Sequence, residues 1–184
     1  VTHLNNPDAD GGGIWLPNIQ RPFVWSESQI ERLFDSIMRE YPIGTLLIWR
    51  TKNNIRRRKF IDHYKREIKL STYNVNVEDS RKKMLVLDGQ QRLQSLFIGL
   101  KGSYVLKELY FDILSGDPVP PDDIRYKFKF LLSSGVPPHY IKFKDIIFSD
   151  KQYNQIAEDI IKGFLTPLSE KDKQTIINNI ALIV

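Results

Sequence analysis

The sequence predicts a protein that combines strands with helices and ends in a helical segment. Residues 25–42 place apolar side chains at the three- and four-residue spacing of an amphipathic helix. Residues 44–50 and 83–89 contain continuous apolar runs of strand length, whereas residues 153–184 return to helical spacing. Together these observations predict a mixed fold rather than an all-helical or all-strand one.

Length and composition fit one globular domain. The chain has 184 residues, of which 41% are hydrophobic and 27% are charged, and a chain of this size buries roughly 70% of its unfolded surface. No apolar stretch approaches the ~20 residues that span a bilayer, and no signal-like segment opens the chain, so we expect a cytoplasmic protein. The chain stops inside an apolar helical pattern, and we therefore expect it to belong to a longer protein.

Residue types exclude several kinds of chemistry. The chain contains no cysteine, which excludes disulfides, a thiol nucleophile and cysteine-based zinc sites. Its three histidines, His3, His63 and His139, are scattered without the spacing of metal ligands. Any chemistry must therefore come from acidic, basic, amide or hydroxyl side chains.

The first predicted strand precedes the first predicted helix. Residues 11–25 begin with a glycine cluster and contain two prolines, which limit them to a short strand followed by a loop. The helix over residues 25–42 opens with a capping box, in which Ser26 is the N-cap and Gln29 is its partner. A proline stops this helix at its C-terminal end.

The later strands differ in their predicted exposure. Residues 44–50 and 83–89 are continuously apolar, which predicts strands covered on both faces. Residues 108–114 and 126–132 alternate between apolar and polar side chains, which predicts strands with one solvent-exposed face. Residues 153–184 are predicted to be helical.

A basic block occupies residues 50–69, with nine basic residues against two acidic ones. Such a block can attract polyanions, and the interleaved aromatic residues resemble a single-strand binding surface. A solvated loop or helix face, with a short amphipathic helix over residues 60–68, explains the same pattern. The candidate DNA-binding residues are Arg56, Arg57, Arg58 and Lys59.

The stretch DGQQR, residues 88–92, lies where a second helix is predicted to begin. With Asp88 as the N-cap and Gln91 as its capping-box partner, Arg92 occupies the fourth helical position. A glycine in the first turn costs roughly 0.5 to 1 kcal/mol relative to alanine, and a cation near the positive helix end costs about 0.3 to 1 kcal/mol. Both choices are reasonable if an anion binds there, because Gly89 lets a ligand approach the backbone and Arg92 offers a forked donor. The alternative is that Asp88 only caps the helix and offsets the charge of Arg92.

A second glutamine-arginine pair, Gln20 and Arg21, lies in the proline-bounded segment NIQRPF. Pro22 restricts Arg21 to extended geometry, so this pair is predicted to be held in place. A surface arginine with a neighbouring glutamine is the simpler interpretation of the segment alone.

Taken together, the segment LPNIQRPFVW and the stretch LVLDGQQRLQSLFIGL closely resemble the N-terminal domain of GmrSD-type restriction proteins, and the resemblance spans residues 14–113. It implies an α+β fold of the ParB/sulfiredoxin-like superfamily, with a mixed sheet, flanking helices and a helical C-terminal segment. We expect residues 1–150 to form the nucleotide-binding domain and residues 151–184 to start a C-terminal region that continues beyond this chain.

The resemblance also implies a function and its residues. It implies binding and hydrolysis of a nucleoside triphosphate with Mg²⁺, in a bacterial anti-phage or modified-DNA restriction system that regulates DNA cleavage. The implied catalytic residues are Asp88, Gln91 and Arg92. The implied nucleotide-binding residues are Gln20, Arg21, Gly89 and Gln90. Asp88 is also the implied ligand of Mg²⁺ or of its water shell.

Other matches to the family are partial. Asp112 stands where the family often keeps an acid, and Leu16 replaces the usual isoleucine. The His-Asn-His nuclease half that often follows in relatives is missing from these residues, so we expect a nuclease domain elsewhere in the protein or in a partner, and no DNA cleavage by this chain alone. DNA is the further expected partner, and a membrane is not.

Three classes of function are consistent with the sequence. The first is a nucleotide-hydrolysing switch, which would not be of the P-loop type because the chain lacks a GxxxxGK[ST] motif. The second is a DNA-binding or nicking module, which the basic block favours. The third is a non-catalytic scaffold, in which both glutamine-arginine motifs would be structural.

Overall fold

The computed structural model describes residues 1–19, 21–75, 81–118 and 123–184. Within these ranges, the chain forms two compact units. The first unit contains Val1–Ser26 and Gly44–Leu106, and the second contains Glu27–Ile43 and Lys107–Val184. The predicted domain division at residue 150 stays a prediction.

The described residues contain short strands and five α-helices, three of which follow one another at the C-terminal end. The strands are β1 (Ile14–Pro17), β2 (Leu47–Thr51), β3 (Arg57–Arg58), β4 (His63–Tyr64), β5 (Asn74–Val75), β6 (Lys83–Asp88), β7 (Ser103–Tyr104), β8 (Glu108–Asp112), β9 (Phe128–Leu131) and β10 (Tyr140–Lys142). The helices are α1 (Glu27–Met38), α2 (Gln90–Lys101), α3 (Phe143–Ile147), α4 (Tyr153–Lys162) and α5 (Glu170–Ile183). The predicted mixed α+β fold with a helical C-terminal segment is confirmed. No helix in the described part of the chain is long and apolar enough to cross a membrane.

The first unit is built on a mixed sheet of five strands in the order β2-β6-β1-β3-β5. β1 is parallel to β6, whereas the other pairs are antiparallel. The small strands β4 and β7 form a separate parallel pair. A cluster of buried residues fills the core of this unit, and its members are Leu4, Leu16, Phe60, Val86 and Phe97.

Position in the sheet explains one wrong prediction about the two apolar strands. β6 lies inside the sheet, and its Leu85 and Val86 are fully buried, as the apolar run predicts, although Leu87 of the same strand is 41% exposed. β2 was expected to be covered on both faces, but it is an edge strand in which Leu47 and Trp49 are 58% and 41% exposed. An apolar run predicts strand length, but it does not tell which strand lies at the edge.

The segment after β3 is extended rather than helical. The apolar spacing over residues 60–68 allowed a short amphipathic helix, but the structure places β4 there instead. Phe60 and Ile61 are both buried, since they follow β3 directly into the core of the first unit. The apolar residues Phe60 and Ile61 therefore belong to the connection between β3 and β4 and not to a helix.

The second unit packs helices against an antiparallel sheet in the order β10-β8-β9. Four phenylalanine rings pack against one another in this unit, namely Phe34 of α1, Phe111 of β8, Phe128 of β9 and Phe143 of α3. Ring centroids lie 4.8 to 5.5 Å apart in the pairs Phe111–Phe128, Phe128–Phe143, Phe34–Phe128 and Phe34–Phe143. In β9 the alternation is confirmed, because Lys129 is exposed between two buried phenylalanines. β8 was expected to have one exposed face, but it lies between two strands and four of its five residues are buried.

Two buried polar side chains tie distant segments of the second unit together. The Asp35 carboxylate of α1 accepts hydrogen bonds from the backbone of Arg125 and Tyr126, at 3.1 and 2.7 Å. Asn179 of α5 donates to the backbone oxygens of Ile113 and Ser115, both at 2.8 Å. The helical tail is therefore part of this unit's packing.

Candidate nucleotide site

The helix α2 begins one residue later than the sequence predicts. Asp88 is the last residue of β6, and Gly89 is the N-cap in a left-handed conformation, with φ at 81°. The expected capping box between Asp88 and Gln91 is wrong, because the N-cap is a glycine and the Gln91 side-chain oxygen accepts from Val24 instead. Asp88 is thus free of the capping role that competed with its proposed role at a ligand.

Arg92 lies in the first turn of α2 and contacts the loop before β2. Its Nη2 atom donates to the backbone oxygen of Thr45 at 2.7 Å and lies 3.8 Å from the Asp88 carboxylate. A Cβ atom on Gly44, where φ is 89°, would lie 2.5 Å from Arg92 Nη1. A glycine at position 44 therefore lets the guanidinium pack directly against the backbone.

One cavity of about 290 Å³ brings the two sequence motifs together. It is lined by Arg21, Trp25, Leu87, Asp88, Gly89, Gln90, Gln91 and Arg92. The first hydrogen bond within α2 is donated by Leu93 to Gly89, so the N–H groups of the preceding residues lie at the open end of the helix. The cavity thus combines two arginines with the positive end of a helix dipole. Gln20, the remaining residue of the motifs, lies outside the described residues.

Gln91 holds the segment that carries Arg21. Its side-chain oxygen accepts from the backbone N–H of Val24 at 3.1 Å, and its side-chain nitrogen donates to the oxygen of Pro22 at 3.1 Å. Both ends of the amide are therefore used to position the neighbouring segment. The catalytic role expected for Gln91 stays a prediction.

Two further glutamines of α2 also bind the backbone. Gln90 is buried and donates to the oxygen of Val86 at 2.5 Å. Gln94 accepts from the N–H of Ile61 at 2.9 Å and donates to its oxygen at 2.6 Å. These contacts fix the start of α2 against β6 and against the chain that follows β3.

The segment from Arg21 to Trp25 has no regular secondary structure, yet contacts hold it along its length. The Phe23 ring packs edge-on against Tyr64, with centroids 5.2 Å apart. The hydroxyl of Tyr104 donates to the oxygen of Trp25 at 3.2 Å. Together with the Gln91 bonds, these contacts give the Arg21 segment a defined position at the cavity.

The four candidate DNA-binding residues do not share one exposed surface. Arg57 and Arg58 form β3 and are only 3% and 6% exposed, whereas Arg56 and Lys59 are exposed. The Arg57 guanidinium lies over the Trp15 ring, 5.1 Å from its centroid. Burial therefore removes two of the four from contact with a duplex, and DNA contact by the other two stays a prediction.

Arg58 lies next to the candidate site, a position that the sequence alone does not indicate. Its Nη2 atom donates to the backbone oxygen of Arg21 at 3.1 Å. Nothing in the run RRRK distinguishes this arginine from its neighbours, because its burial depends on the pairing of β3 with β1.

A second, larger cavity of about 530 Å³ lies at the other end of β6. It is lined by His3, Asp10, Gly11, Arg50, Thr51, Lys52, Lys82, Lys83 and Met84. The antiparallel pairing of β2 with β6 sets Arg50 opposite Met84 and so joins two stretches that are distant in sequence. Four of the described lining residues are basic and one is acidic, which makes this cavity electropositive. The sequence alone does not indicate Lys82 and Lys83 as site residues, since only strand pairing brings them to the basic block.

The carboxylate of Asp88 at the candidate site suits a metal ion only when a phosphate ligand binds together with the ion. Within the described residues, no group of three or more histidine, aspartate or glutamate side chains is arranged to hold a metal ion. Asp88 contributes one exposed carboxylate to the cavity. Because Mg²⁺ commonly binds through one or two carboxylates, substrate phosphates and water, Asp88 fits an ion that arrives with a phosphate chain.

Asp112, the looser match to the family, lies in the second unit. It ends β8, and its carboxylate accepts from the backbone N–H of Leu114 at 3.1 Å. This contact is typical of an aspartate that stabilises a turn. Its expected functional match stays a prediction.

Comparison with known proteins identifies related sequences. The model of a family described as "GmrSD restriction endonuclease, N-terminal domain" matches residues 2–183. An uncharacterized protein of Methanocaldococcus jannaschii is 39% identical over 89 residues, which amount to 48% of this chain and 15% of that protein. The chain therefore spans a small part of the length of this relative.

Proposed function

Because the chain belongs to the family of GmrSD restriction endonuclease N-terminal domains, we propose that it binds and hydrolyses a nucleoside triphosphate and thereby regulates DNA cleavage. The system it serves is a restriction system directed at phage or modified DNA. The nuclease domain it regulates lies elsewhere in the same protein or in a partner, and the protein acts in the cytoplasm.

The observation that supports this proposal is the shared cavity of the two motifs. Arg21 and Arg92 both line it, at the N-terminal end of α2. Guanidinium groups match phosphate oxygens with forked donors, and a helix N-terminus adds backbone N–H groups and a positive partial charge. A phosphate chain is therefore the ligand whose charge and shape suit the cavity best.

The residues have distinct proposed roles. Arg21 and Arg92 hold the phosphates and stabilise the charge that develops on the transferred phosphoryl group. Gln90 or Gln91 orients the attacking water, and Gln91 also keeps the Arg21 segment at the cavity. Asp88 holds Mg²⁺ or its water shell, and the ion supplies additional charge stabilisation when it is bound with the nucleotide.

The test is to measure nucleotide binding and phosphate release, with and without DNA, for the wild type and for Arg92→Ala. We expect Arg92→Ala to lose at least tenfold in nucleotide affinity while its melting temperature stays within a few degrees, because Arg92 contacts a backbone oxygen and an exposed carboxylate rather than the apolar core. Arg56→Ala removes an exposed arginine outside the cavity and, without DNA, should behave like the wild type. A large loss of stability in Arg92→Ala with normal nucleotide affinity would make Arg92 a structural residue.

Ile98→Ala provides the opposite control in the same helix. Ile98 is fully buried, so its truncation should cost roughly 2 to 5 kcal/mol of unfolding free energy. Nucleotide affinity of the folded fraction should remain unchanged. The pair of variants thus separates a damaged site from a damaged fold.

A second candidate function is DNA binding through the electropositive cavity at the start of β6. The observation that favours it is the convergence of Arg50, Lys52 and Lys82 on one cavity, next to the buried Lys83. Basic groups gathered in this way suit the regularly spaced phosphates of a nucleic acid backbone. The two candidates are compatible, because the two cavities have no lining residue in common.

A further inference from the structure

Arg58 is a buried cation with few partners in the protein. Its side chain is 6% exposed, and its one hydrogen bond among the described residues goes to the backbone oxygen of Arg21. The Nε atom is buried and has no hydrogen-bond partner within the part of the chain that the structure describes. Burying a charged donor without a partner is costly, and native proteins rarely leave such a group unsatisfied.

Within the described ranges, no acidic side chain balances the charge of Arg58. Burial lowers the pKa of Arg58, and no acid among these residues opposes this effect. An arginine nevertheless stays protonated in proteins, so the positive charge remains in the interior. A buried charge in this situation is stable only when an anion or additional acceptors reach it.

The geometry around Arg58 shows where such an anion can come from. Arg58 lines a small niche together with Arg21, Gln90 and Gln91. Arg21, Gln90 and Gln91 also line the cavity of the candidate nucleotide site, so the niche adjoins that site. The niche measures about 10 Å³, which is room for one water-sized group. A single phosphate oxygen fits this space, whereas a whole phosphate group does not.

We propose that Arg58 is a third phosphate-binding arginine of the candidate site. Its Nε–H donates to one oxygen of a phosphate chain bound in the cavity that Arg21 and Arg92 line. The inference rests on the proposed nucleotide site, and it deepens that site by adding a contact inside the protein. In this arrangement, Arg21 and Arg92 contact the phosphates in the cavity, while Arg58 contacts one phosphate oxygen at the inner wall of the cavity. The same bond to the Arg21 oxygen then links ligand binding to the position of the Arg21 segment.

A purely structural role is the alternative for Arg58. In that case the residue serves only to hold the oxygen of Arg21, and an anion has no effect on it. The two roles differ in the ligand-free protein, because a phosphate-binding arginine destabilises the empty site, whereas a structural arginine stabilises it. They differ again when ligand is added, because only a phosphate-binding arginine then gains a new hydrogen-bond partner.

The first experiment compares Arg58→Met with Arg56→Met, which removes the exposed neighbour. Melting temperatures and dissociation constants are measured with pyrophosphate and with ATP plus Mg²⁺ as probes. We expect Arg58→Met to melt no lower than the wild type without ligand and to lose at least tenfold in affinity for both probes. Arg56→Met should match the wild type in both respects. Wild-type affinity in folded Arg58→Met would overturn the proposal, whatever its melting temperature.

A second measurement covers the case in which Arg58→Met does not fold. The Nε–H resonance of Arg58 is followed by NMR in the wild-type protein and is assigned by its absence in Arg58→Lys. We expect it to shift when pyrophosphate or ATP saturates the site. A resonance that stays unchanged while calorimetry shows saturation would rule out the contact.

The same samples separate this inference from the proposed function. If inorganic pyrophosphate moves the Arg58 resonance but ATP is not hydrolysed, the proposed function fails and the inference stands. If ATP is hydrolysed without any change at Arg58, the inference fails and the proposed function stands. If neither probe binds the wild type, both are wrong.

Discussion

Backbone conformation and packing together require a glycine at position 89. Its φ of 81° lies in the left-handed region, and an added Cβ would lie 2.3 Å from Leu46 Cδ2. The sequence suggested a different reason, namely close approach of a ligand, because it placed Asp88 at the N-cap. Local spacing could not show that β6 extends through Asp88 or that the loop before β2 crosses the helix start.

Gly89→Ala should therefore destabilise the protein. The left-handed conformation costs an alanine roughly 1 to 2 kcal/mol, and the contact with Leu46 adds a smaller cost, because Leu46 is 45% exposed and the end of its side chain can move away. Gly135→Ala separates the two effects, since Gly135 has a φ of 75° but no atom within 4 Å of the added Cβ. Urea denaturation of both variants provides the comparison, and equal losses of unfolding free energy would show that the Leu46 contact has no cost.

The helices and strands differ in how well local patterns predict them. The helices α1, α4 and α5 follow from the spacing of their own apolar residues, because a helix face is defined within one segment. The exposure of β2 and β8 does not follow from their own residues, because it depends on whether a strand lies at an edge or in the middle. The joining of the two glutamine-arginine motifs likewise needed the fold, since Gln91 binds the Arg21 segment across 67 and 69 positions.

Strand β8 carries a charged cluster that should make stability depend on pH. Burial raises the pKa of the Glu108 carboxyl, but hydrogen bonds from Lys142 and Lys144 outweigh burial and leave its pKa lowered. Lys142 lies 2.7 Å from the carboxylate, and Lys144 bonds to its other oxygen. A carboxyl with a lowered pKa stabilises the folded state above the unfolded pKa of about 4.3, and this contribution is lost as the pH falls through the folded-state value.

We expect Glu108→Gln to be less stable than the wild type at pH 7, by roughly 1.5 to 3 kcal/mol, and the difference to shrink as the pH falls below about 4.3. Glu31 acts in the opposite direction, because burial raises its pKa, and it is left intact in both proteins. Glu170→Gln is the matched control, since this glutamate is 89% exposed and pairs with Lys173 on the surface. Urea midpoints measured across pH provide the test, and a difference that stays constant with pH would contradict it.

At the scale of the whole molecule, the first unit presents two separate sets of cations. One set surrounds the N-terminal end of α2, and the other lines the electropositive cavity at the start of β6. β6 connects them, with Lys83 at one end and Asp88 at the other. A strand of this length spans on the order of 20 Å, which exceeds the ~10 Å over which charges act through salt solution. Each set can therefore be neutralised without directly altering the electrostatics of the other.

This separation predicts opposite effects of two variants. Neutralising Arg50, Lys52 and Lys82 together should weaken duplex binding at every sequence and lower the salt slope of the affinity by up to about 2.7, because each phosphate contact contributes ~0.9. Phosphate release without DNA should be unchanged in this triple variant. Arg92→Ala should lose phosphate release while keeping the salt slope of the wild type.

The exposed pair Arg56 and Lys59 provides the control for simple loss of charge. If the electropositive cavity is the DNA surface, replacing this pair with alanine should leave the salt slope nearly unchanged, although two positive charges are removed. A slope that falls by about 1.8 in the pair variant, at ~0.9 per contact, would move the DNA surface to the basic run. A slope that is unchanged in both variants would show that neither set meets DNA phosphates, and DNA recognition would then belong to another part of the full-length protein or to a partner.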